Sequence, residues 1–510
     1  DVQISIDGAA VTVLWAEGIP DGSQTLRFAR RTATNVWFAD KLLDDIGLGY
    51  TSITHDDQLH VVAPTPAGLV YLVQINGSWS APETIPNSAA AQEPQIVIAA
   101  DGTPHVFWLV QVVEEYGFRL NTSRRGPGGW SAPVMVAQVG DLQLFAGFGV
   151  VAAPDGALHL IYLKDLFETK ELWARLRRPD GQWTAARLLH SYPYMSWRQP
   201  PVITPDGRVF YLWSEADEFL YSSDLHYLSG DGVTWTRPQR VFKDTGIAEY
   251  IAGPDGSIHA LVSWGYEVRY TVRTPDGAWL FPQAVPDDTS GDAKLVLDAA
   301  GLPHVFRASF DPEYAQGNLE YTRRLTSGSW TNEVAVSGAF DKNYRPAAAV
   351  DGGGNVHVAW LAEDGQTADR RADVMYAGPV LATAPTVLEI SRTVVVPDTA
   401  AHPVLSFFYR FSGGATNFTN LVVEVTGGSP SQGRTLPRTG DEMEQAWLDL
   451  SGNVGQTVTI TFRLTQAPGE PLAGAAVDDV TLGAAHGDVW LSGAAGAALP
   501  AAASTPSSTA

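Results

Sequence analysis

The chain has 510 residues, no cysteine and a formal net charge of −23 at pH 7. Without cysteine it contains neither disulfides nor thiolate metal sites, so its stability comes from packing or from ions held by oxygen ligands. The acidic field repels nucleic acid and anionic lipid, so no nucleic-acid partner is expected. No apolar run reaches the roughly 18 residues of a membrane helix, and no membrane span is expected.

The composition favours strands over helices. The 49 glycines and 33 prolines indicate many turns, while the plentiful valine, threonine and aromatic residues favour short strands. The chain opens directly in a strand-like segment, Val2 to Ile6, without a signal-peptide pattern. We expect a mature form from which a leader has been removed, and the alternative is a chain that never carried one.

A self-similar phrase recurs through most of the chain, for example DGTPHVFW from Asp101 and DGSIHALV from Asp255. Successive copies lie roughly 49 residues apart, the length of a propeller blade. Eight positions are equivalent to the histidine of the phrase: Thr12, His60, His105, His159, Phe210, His259, His304 and His357.

A second landmark, a turn that runs into tryptophan, falls between these positions in every unit except the eighth. Each full unit therefore predicts four short strands, such as Pro94 to Ala99, His105 to Leu109, Arg119 to Ser123 and Val134 to Ala137. A closed ring of such units buries both faces of each sheet. We expect an all-β protein with a β-propeller of about eight blades over residues 1–380. Seven regular blades and an irregular one remain the alternative.

The histidine and tryptophan phrases resemble the bacterial sialidase-like propeller repeats, the BNR or Asp-box group. The segment from Ser229 to Trp235 is one residue short of the full Asp box, SxDxGxTW. In that family the Asp box is a folding device at a hairpin, so the resemblance implies architecture and not catalysis.

After a hinge around residues 378–385 the blade phrase stops and new alternating segments predict half-buried antiparallel strands over residues 386–483. The WLDLS and VDDVTL phrases resemble jelly-roll β-sandwich modules of carbohydrate-binding and MAM-like bacterial surface domains. Residues 484–510 are rich in Ala, Ser, Pro and Thr and predict a disordered tail or linker.

The jelly-roll resemblance implies one candidate cofactor, a structural calcium ion. Glu389, Asp478 and Asp479 are its candidate ligands, because calcium prefers oxygen donors. The alternative is that Asp478 and Asp479 bond to neighbouring backbone or cap the end of a strand.

The repeated histidines are interpreted as structural. A residue that returns once per blade inside a strand has a packing and hydrogen-bonding task common to all blades, although histidine is also a frequent acid, base and metal ligand. The repeated tryptophans are interpreted in the same way, as core between blades.

Function in propellers usually lies in unrepeated loops on one face. Here these loops are acidic and aromatic, a combination that suits sugars, because aromatic rings stack on pyranose C–H surfaces and polar groups bind hydroxyls. A solvated surface without a ligand is the alternative. The candidate ligand-binding residues are Glu115, Tyr116, Tyr192, Tyr194, Trp197, Arg198, Tyr266, Glu267, Tyr314 and Tyr344.

An enzyme is the second hypothesis. The sialidase resemblance implies an arginine cluster and a Tyr/Glu pair, for which the candidate catalytic residues are Arg198, Arg345, Tyr192 and Glu215. The family's Arg-Ile-Pro phrase is absent. Glycosidic hydrolysis by paired carboxylates and uronate elimination by a His/Tyr pair, as in propeller-fold lyases, both remain open.

The leading hypothesis is a non-catalytic extracellular or cell-surface module that binds a glycan or a surface protein. It rests on the pairing of propeller and jelly roll and on the acidic-aromatic loops. A third hypothesis is a self-assembling subunit of a surface layer or filament, with the Ala/Thr-rich end as a connector.

Overall fold

The structure is a computed structural model. It describes residues 2–8, 10–18, 24–32, 36–47, 49–112, 117–139, 144–166, 168–196, 199–216, 223–264, 267–286, 292–308, 317–337, 342–363, 372–378, 386–398, 402–412, 420–439, 443–466 and 474–484. The chain divides into two compact units, one of residues 1–30 and 38–378 and one of residues 31–37 and 379–510. In the described residues the secondary structure is β apart from one 3₁₀ turn.

The described part of the first unit forms eight antiparallel sheets. The first sheet contains strands β1 (Val2–Asp7), β2 (Ala10–Gly18), β3 (Gln24–Arg31) and β4 (Trp37–Ile46). The second contains β5 (Thr51–His55), β6 (Gln58–Thr65), β7 (Gly68–Ile75), β8 (Ser78–Trp79) and β9 (Glu83–Thr84). The third contains β10 (Ala91–Ile98), β11 (Pro104–Val112), β12 (Gly117–Gly126), β13 (Gly129–Trp130) and β14 (Val134–Val139).

The fourth and fifth sheets position the candidate site described below. The fourth contains β15 (Leu144–Ala152), β16 (Leu158–Asp165), β17 (Lys170–Arg177) and β18 (Arg187–Tyr192). The fifth contains β19 (Met195–Ser196), β20 (Val202–Ile203), β21 (Val209–Ala216), β22 (Ser223–Gly230) and β23 (Gln239–Phe242). Both β19 and β20 pair with β21, so the first strand of this sheet is interrupted.

The remaining sheets of this unit follow the same order along the chain. The sixth contains β24 (Gly246–Ala252), β25 (Ile258–Trp264), β26 (Glu267–Arg273) and β27 (Gln283–Ala284). The seventh contains β28 (Ala293–Leu297), β29 (Pro303–Ala308), β30 (Leu319–Arg323) and β31 (Val334–Ala335). The eighth contains β32 (Lys342–Val350), β33 (Val356–Glu363) and β34 (Ala372–Ala377).

Each sheet packs on the next, and the last packs on the first. A buried cluster joins the fourth and fifth sheets through Leu163, Leu172 and Trp213. Equivalent clusters join the other consecutive sheets. The ring closes through Val11 and Val13 of the first sheet, which pack on Ala359 of the eighth. A closed ring of antiparallel sheets is the arrangement of a β-propeller and confirms the predicted all-β fold class.

The second unit is a sandwich of two antiparallel sheets. Its strands are β35 (Thr386–Val395), β36 (Pro403–Ser412), β37 (Asn420–Thr426), β38 (Gln432–Leu436), β39 (Glu444–Asp449), β40 (Thr457–Gln466) and β41 (Gly474–Ala484), with the 3₁₀ turn at Ser451–Asn453. One sheet has the order β35-β40-β37-β38 and the other β39-β36-β41. Phe407, Tyr409 and Phe462 are among the residues that fill the core between them.

No helix in the described part of the chain combines the length and hydropathy needed to cross a membrane.

Candidate functional site

A group of polar and aromatic side chains lies where the fourth sheet meets the fifth. Trp213 and Glu215 are two residues apart on β21, so both point to the same face of their sheet. His226 of β22 lies directly opposite Trp213 in the antiparallel register. His190 comes from β18 of the preceding sheet. We call His190, Trp213, Glu215 and His226 the His–Glu–His cluster.

Glu215 is the centre of this cluster. His190 Nε2–H donates to its Oε1 over 2.7 Å, and the Trp213 Nε1–H donates to the same oxygen over 2.8 Å. His226 Nδ1 lies 3.7 Å from its Oε2 and also lies 3.2 Å from the carbonyl oxygen of Asp224. The carboxylate therefore accepts hydrogen bonds from two side chains, one from each sheet, and a third ring lies at ion-pair distance.

The charge state of Glu215 follows from these contacts. Burial by itself raises the pKa of its carboxyl group, but the hydrogen bonds from His190 and Trp213 and the electrostatic attraction of His226 and His190 together hold that pKa below its ordinary value. The side chain of Glu215 is only 9% exposed, whereas that of His190 is 24% exposed. Glu215 is thus an ionised, enclosed acceptor, and His190 is the member that solvent reaches most.

Ring packing fixes the orientation of both histidines. The His226 ring stacks on Trp213 at 5.8 Å with an interplanar angle of 22°. The His190 ring stacks on Tyr192 at 6.4 Å with an angle of 8°. Because His190 Nε2 donates its hydrogen to Glu215, Nδ1 is the basic nitrogen of the neutral ring. The cluster can therefore hold an imidazole in one tautomer beside a phenol.

Two of the four predicted catalytic residues, Tyr192 and Glu215, meet at this place through His190. Arg198 lies outside the described residues. Arg345 lies on β32 of the eighth sheet, where its backbone N–H donates to Asp292 Oδ2 over 3.2 Å. The structure therefore brings two of these four candidate residues together.

The predicted ligand-binding residues are spread over several sheets. Tyr194 is 41% exposed and lies beside the cluster, because its carbonyl oxygen accepts the N–H of Ala216, the residue after Glu215. Glu267 pairs with Arg269 in the sixth sheet, and Tyr344 donates to Glu363 over 2.5 Å in the eighth. Five other predicted residues lie outside the described part of the chain: Glu115, Tyr116, Trp197, Tyr266 and Tyr314.

The candidate calcium ligands lie in both sheets of the second unit. Glu389 pairs with Arg463 in the four-stranded sheet, and Asp478 lies opposite Phe408 in the three-stranded sheet. The side chain of Asp479 is outside the described set. No group of three His, Cys, Asp or Glu side chains among the described residues is arranged to hold a metal ion. The calcium site stays a prediction.

Sequence reasoning did not select His190, Trp213 or His226. The available signal was that His190 and His226 stand outside the repeated phrase, whereas the structural histidines all stand inside it. An unrepeated histidine is free of the task that all blades share, so it is a better candidate for function than a repeated one.

A cavity of about 450 Å³ lies away from this cluster, among the turns between the first and second strands of the fourth to seventh sheets. Its lining is mostly proline, alanine and aliphatic side chains. Its Thr204 hydroxyl donates to Asp206, and its Asp298 carboxylate accepts the backbone N–H of Ala300 and of Leu302. Because these polar groups serve the turns, the cavity offers no candidate chemistry.

No family model and no curated protein matches the sequence. Among solved structures, the chain is similar to the polysaccharide lyase Uly1, with 10% identity, a TM-score of 0.43, and coverage of 73% of this chain and 88% of that chain. It is similar to a puromycin hydrolase, with 15% identity, a TM-score of 0.44, and coverage of 71% and 58%. It is also similar to an α-L-arabinanase of Penicillium chrysogenum complexed with arabinobiose, with 14% identity, a TM-score of 0.37, and coverage of 52% and 90%. Likeness at this level concerns the fold alone.

Proposed function

We propose that the chain is a secreted or cell-surface protein that cleaves an acidic polysaccharide by β-elimination at the His–Glu–His cluster. The observation that carries this proposal is the pairing of solvent-accessible His190 with the enclosed carboxylate of Glu215, next to the ring of Tyr192. A base oriented by a buried acceptor and an adjacent phenol are the groups that proton abstraction next to a carboxylate requires.

The steps of the proposed elimination follow from the tautomer of His190. His190 Nδ1 takes the proton at the carbon that bears the uronate carboxylate, and the electron pair forms a double bond to the neighbouring carbon. The glycosidic C–O bond breaks, and the leaving oxygen takes the proton of the Tyr192 hydroxyl. Glu215 stabilises the imidazolium form of His190, in the same way that a carboxylate orients a catalytic histidine in a hydrolase triad.

Elimination fits the cluster better than hydrolysis does. Hydrolysis by paired carboxylates needs an acid and a second carboxylate that reach the sugar from two sides. Glu215 is only 9% exposed and is held by His190 and Trp213. Lys170 lies opposite Tyr192 on β17, with its ammonium group 3.7 Å from Asp165 Oδ2. We assign the substrate carboxylate to this cation, which has to offset the acidic field of the chain.

We expect the full chain to release unsaturated uronate from alginate, polygalacturonate or a glycosaminoglycan, seen as rising ultraviolet absorbance. His190→Ala should lower the rate by at least roughly 100-fold, the usual contribution of a general base. Leu188→Ala, an exposed change on the same strand, is the matched control and should keep the rate of the wild type.

New reducing ends without ultraviolet absorbance would show hydrolysis and overturn the elimination proposal. Binding without turnover would favour a second candidate, a glycan-binding module without catalysis. That candidate is supported by Tyr194, which is 41% exposed beside the cluster and is held in place through its backbone. Self-assembly into a surface layer stays a prediction that light scattering of the same samples would test.

A further inference from the structure

The first strands of the sheets are the innermost strands of the ring. First strands of neighbouring sheets contact each other, as β24 contacts β28 and β28 contacts β32. Because the sheets share one strand order, the turns between first and second strands all lie at one end of the ring, close to its axis. Glu215 lies at the other end of β21, six residues after Val209 and roughly 20 Å away at about 3.3 Å per residue. These turns therefore lie opposite the His–Glu–His cluster.

The cavity of about 450 Å³ lies among these turns in the fourth to seventh sheets. Cavities of this size are usual for small ligands. Pro154, Pro205 and Pro254 take the same position in three of the turns, and Ala299 takes it in the fourth. Pro254 packs on the next turn, since a Cβ atom added to Gly301 would lie 3.6 Å from its ring. Rigid proline rings thus form much of a preformed wall.

The polar backbone groups of the four turns are satisfied within the turns. In the fifth sheet the N–H of Thr204 donates to the carbonyl oxygen of Arg208 over 2.9 Å, and the N–H of Gly207 donates to that of Thr204 over 2.8 Å. The other three turns repeat both bonds. The hydroxyl of Thr204 donates to Asp206 over 2.5 Å. The wall therefore offers a ligand C–H surface rather than hydrogen bonds.

Carboxylates stand around this apolar wall. Asp298 lines the cavity itself. An aspartate also follows each of the three lining prolines, at Asp155, Asp206 and Asp255. Hydrogen bonds from Thr204 and Ser257 hold the pKa of Asp206 and of Asp255 below its ordinary value, so both are ionised near pH 7. The rim of the cavity is negative.

The cations at this end of the ring are engaged elsewhere. Arg208 donates through Nε to the hydroxyl of Ser229 over 3.1 Å. Arg273 and Arg324 lie at the ends of third strands, further from the axis, and each guanidinium stacks on a ring of the preceding sheet. Burial lowers the pKa of the histidines that follow the turns, His159, His259 and His304, so these rings are neutral near pH 7. Among the described residues, no cation lines the cavity.

We propose that this cavity binds an amphiphilic cation, an apolar group with a positive charge at one end. The apolar part fills the space between the proline rings, where burial of C–H surface drives binding. The positive charge faces the four aspartates of the rim, and the same carboxylates reject an apolar anion. A free organic cation and a basic side chain beside an apolar one both have this chemistry. The proposal does not rest on the His–Glu–His cluster.

Fluorescence titration of the full chain tests the site with two aromatic probes of opposite charge, the cation thioflavin T and the anion anilinonaphthalene sulfonate. We expect one thioflavin T per chain, bound at least tenfold more tightly than the anion. Added salt should weaken the binding of thioflavin T, because it screens the attraction of the exposed carboxylates.

Ala299→Arg should weaken the binding of thioflavin T at least tenfold, because the new side chain occupies the cavity and offsets its negative charge. Ala100→Arg is the matched control, since Ala100 is exposed at the same turn position of the third sheet, which does not line the cavity. Asp255→Asn keeps the Oδ1 acceptor of its turn and removes one charge. It should weaken the binding of the cation by a smaller factor.

The outcomes separate this proposal from the previous one, because His190→Ala should leave the binding of thioflavin T unchanged. Displacement of the dye by a dipeptide amide of tryptophan and arginine, but not by benzyltrimethylammonium, would assign the site to a peptide partner. The reverse order would assign it to a free organic cation. No saturable binding of thioflavin T, tighter binding of the anion, or equal weakening by Ala100→Arg and Ala299→Arg would overturn the proposal.

Discussion

The repeated histidine forms the same contact in several sheets. Its Nδ1 bonds to a tyrosine hydroxyl on the neighbouring strand, over 2.7 Å from His60 to Tyr71 and over 2.5 Å from His259 to Tyr270. His304 and His357 bond to Tyr321 and Tyr376 in the same way. Burial lowers the pKa of His60 and of His259 to about 4, so both rings are neutral near pH 7. These histidines are structural.

Tyr270→Phe tests this role at a single residue. The change removes the hydroxyl that bonds His259 Nδ1 and leaves a buried ring nitrogen without that partner. The free energy of unfolding, measured in urea, should fall by about 1–2 kcal/mol. Tyr194→Phe, at a side chain that is 41% exposed, is the control and should change it by less than about 0.5 kcal/mol. Equal stability of Tyr270→Phe and the wild type would contradict a structural role for the pair.

The tight turns into tryptophan connect neighbouring sheets. Trp130 of the third sheet meets Tyr71 of the second edge to face at 5.2 Å, and Trp330 of the seventh meets Tyr270 of the sixth at 5.4 Å. At the Asp-box-like turn, Asp231 Oδ1 accepts the backbone N–H of Val233 and of Thr234. The turns of the second to seventh sheets thus carry an aromatic ring back onto the preceding sheet. Trp37 of the first sheet differs from the interpretation of the tryptophans as core, because it is 39% exposed.

Trp130→Ala should destabilise the chain because it leaves a gap between two sheets. We expect the free energy of unfolding to fall by roughly 3 kcal/mol. Trp447→Ala is the matched control, since Trp447 is 59% exposed, and its effect should stay within about 0.5 kcal/mol. If both changes had the same small effect, the tryptophans would not be inter-sheet core.

The closed ring of sheets contains several buried histidines that are neutral. The pKa of His60, His105 and His259 is lowered to about 4, mainly by burial, from the ordinary value of 6.5. Between these values the unfolded chain binds more protons than the folded chain, so stability rises with pH in this window. The stability that these neutral histidines contribute is fully present above pH 6.5 and is lost as the pH falls towards 4.

The melting temperature should therefore drop progressively when the pH is lowered from 6.5 to 4. Each of the three histidines contributes up to roughly 1.4 kcal/mol per pH unit. Asp101 and Asp231, whose pKa is held below its ordinary value mainly by backbone hydrogen bonds, act in the same direction but only below that window. A melting temperature that stays constant from pH 6.5 to 4.5 would show that the histidines protonate without cost in the folded state.

The repeated pattern in the amino-acid sequence is sufficient to predict much of the fold. Strand positions in each blade, the burial of the repeated histidines and the packing of tryptophans between sheets follow from a local pattern that recurs along the chain. The predicted strand His105 to Leu109, for instance, lies within β11. Such features need only the alternation of residues and the turn chemistry of the neighbouring sequence.

Which side chains come together at the candidate sites depends on the tertiary structure. His190 meets Glu215 across two sheets, and Trp213 meets His226 only because β21 and β22 pair in one register. A shift of one residue would turn every such side chain to the opposite face. Spacing predicts which strands belong to one blade, but it carries no information about the register between two strands or about contacts between side chains of different sheets, which only the folded ring and sandwich fix.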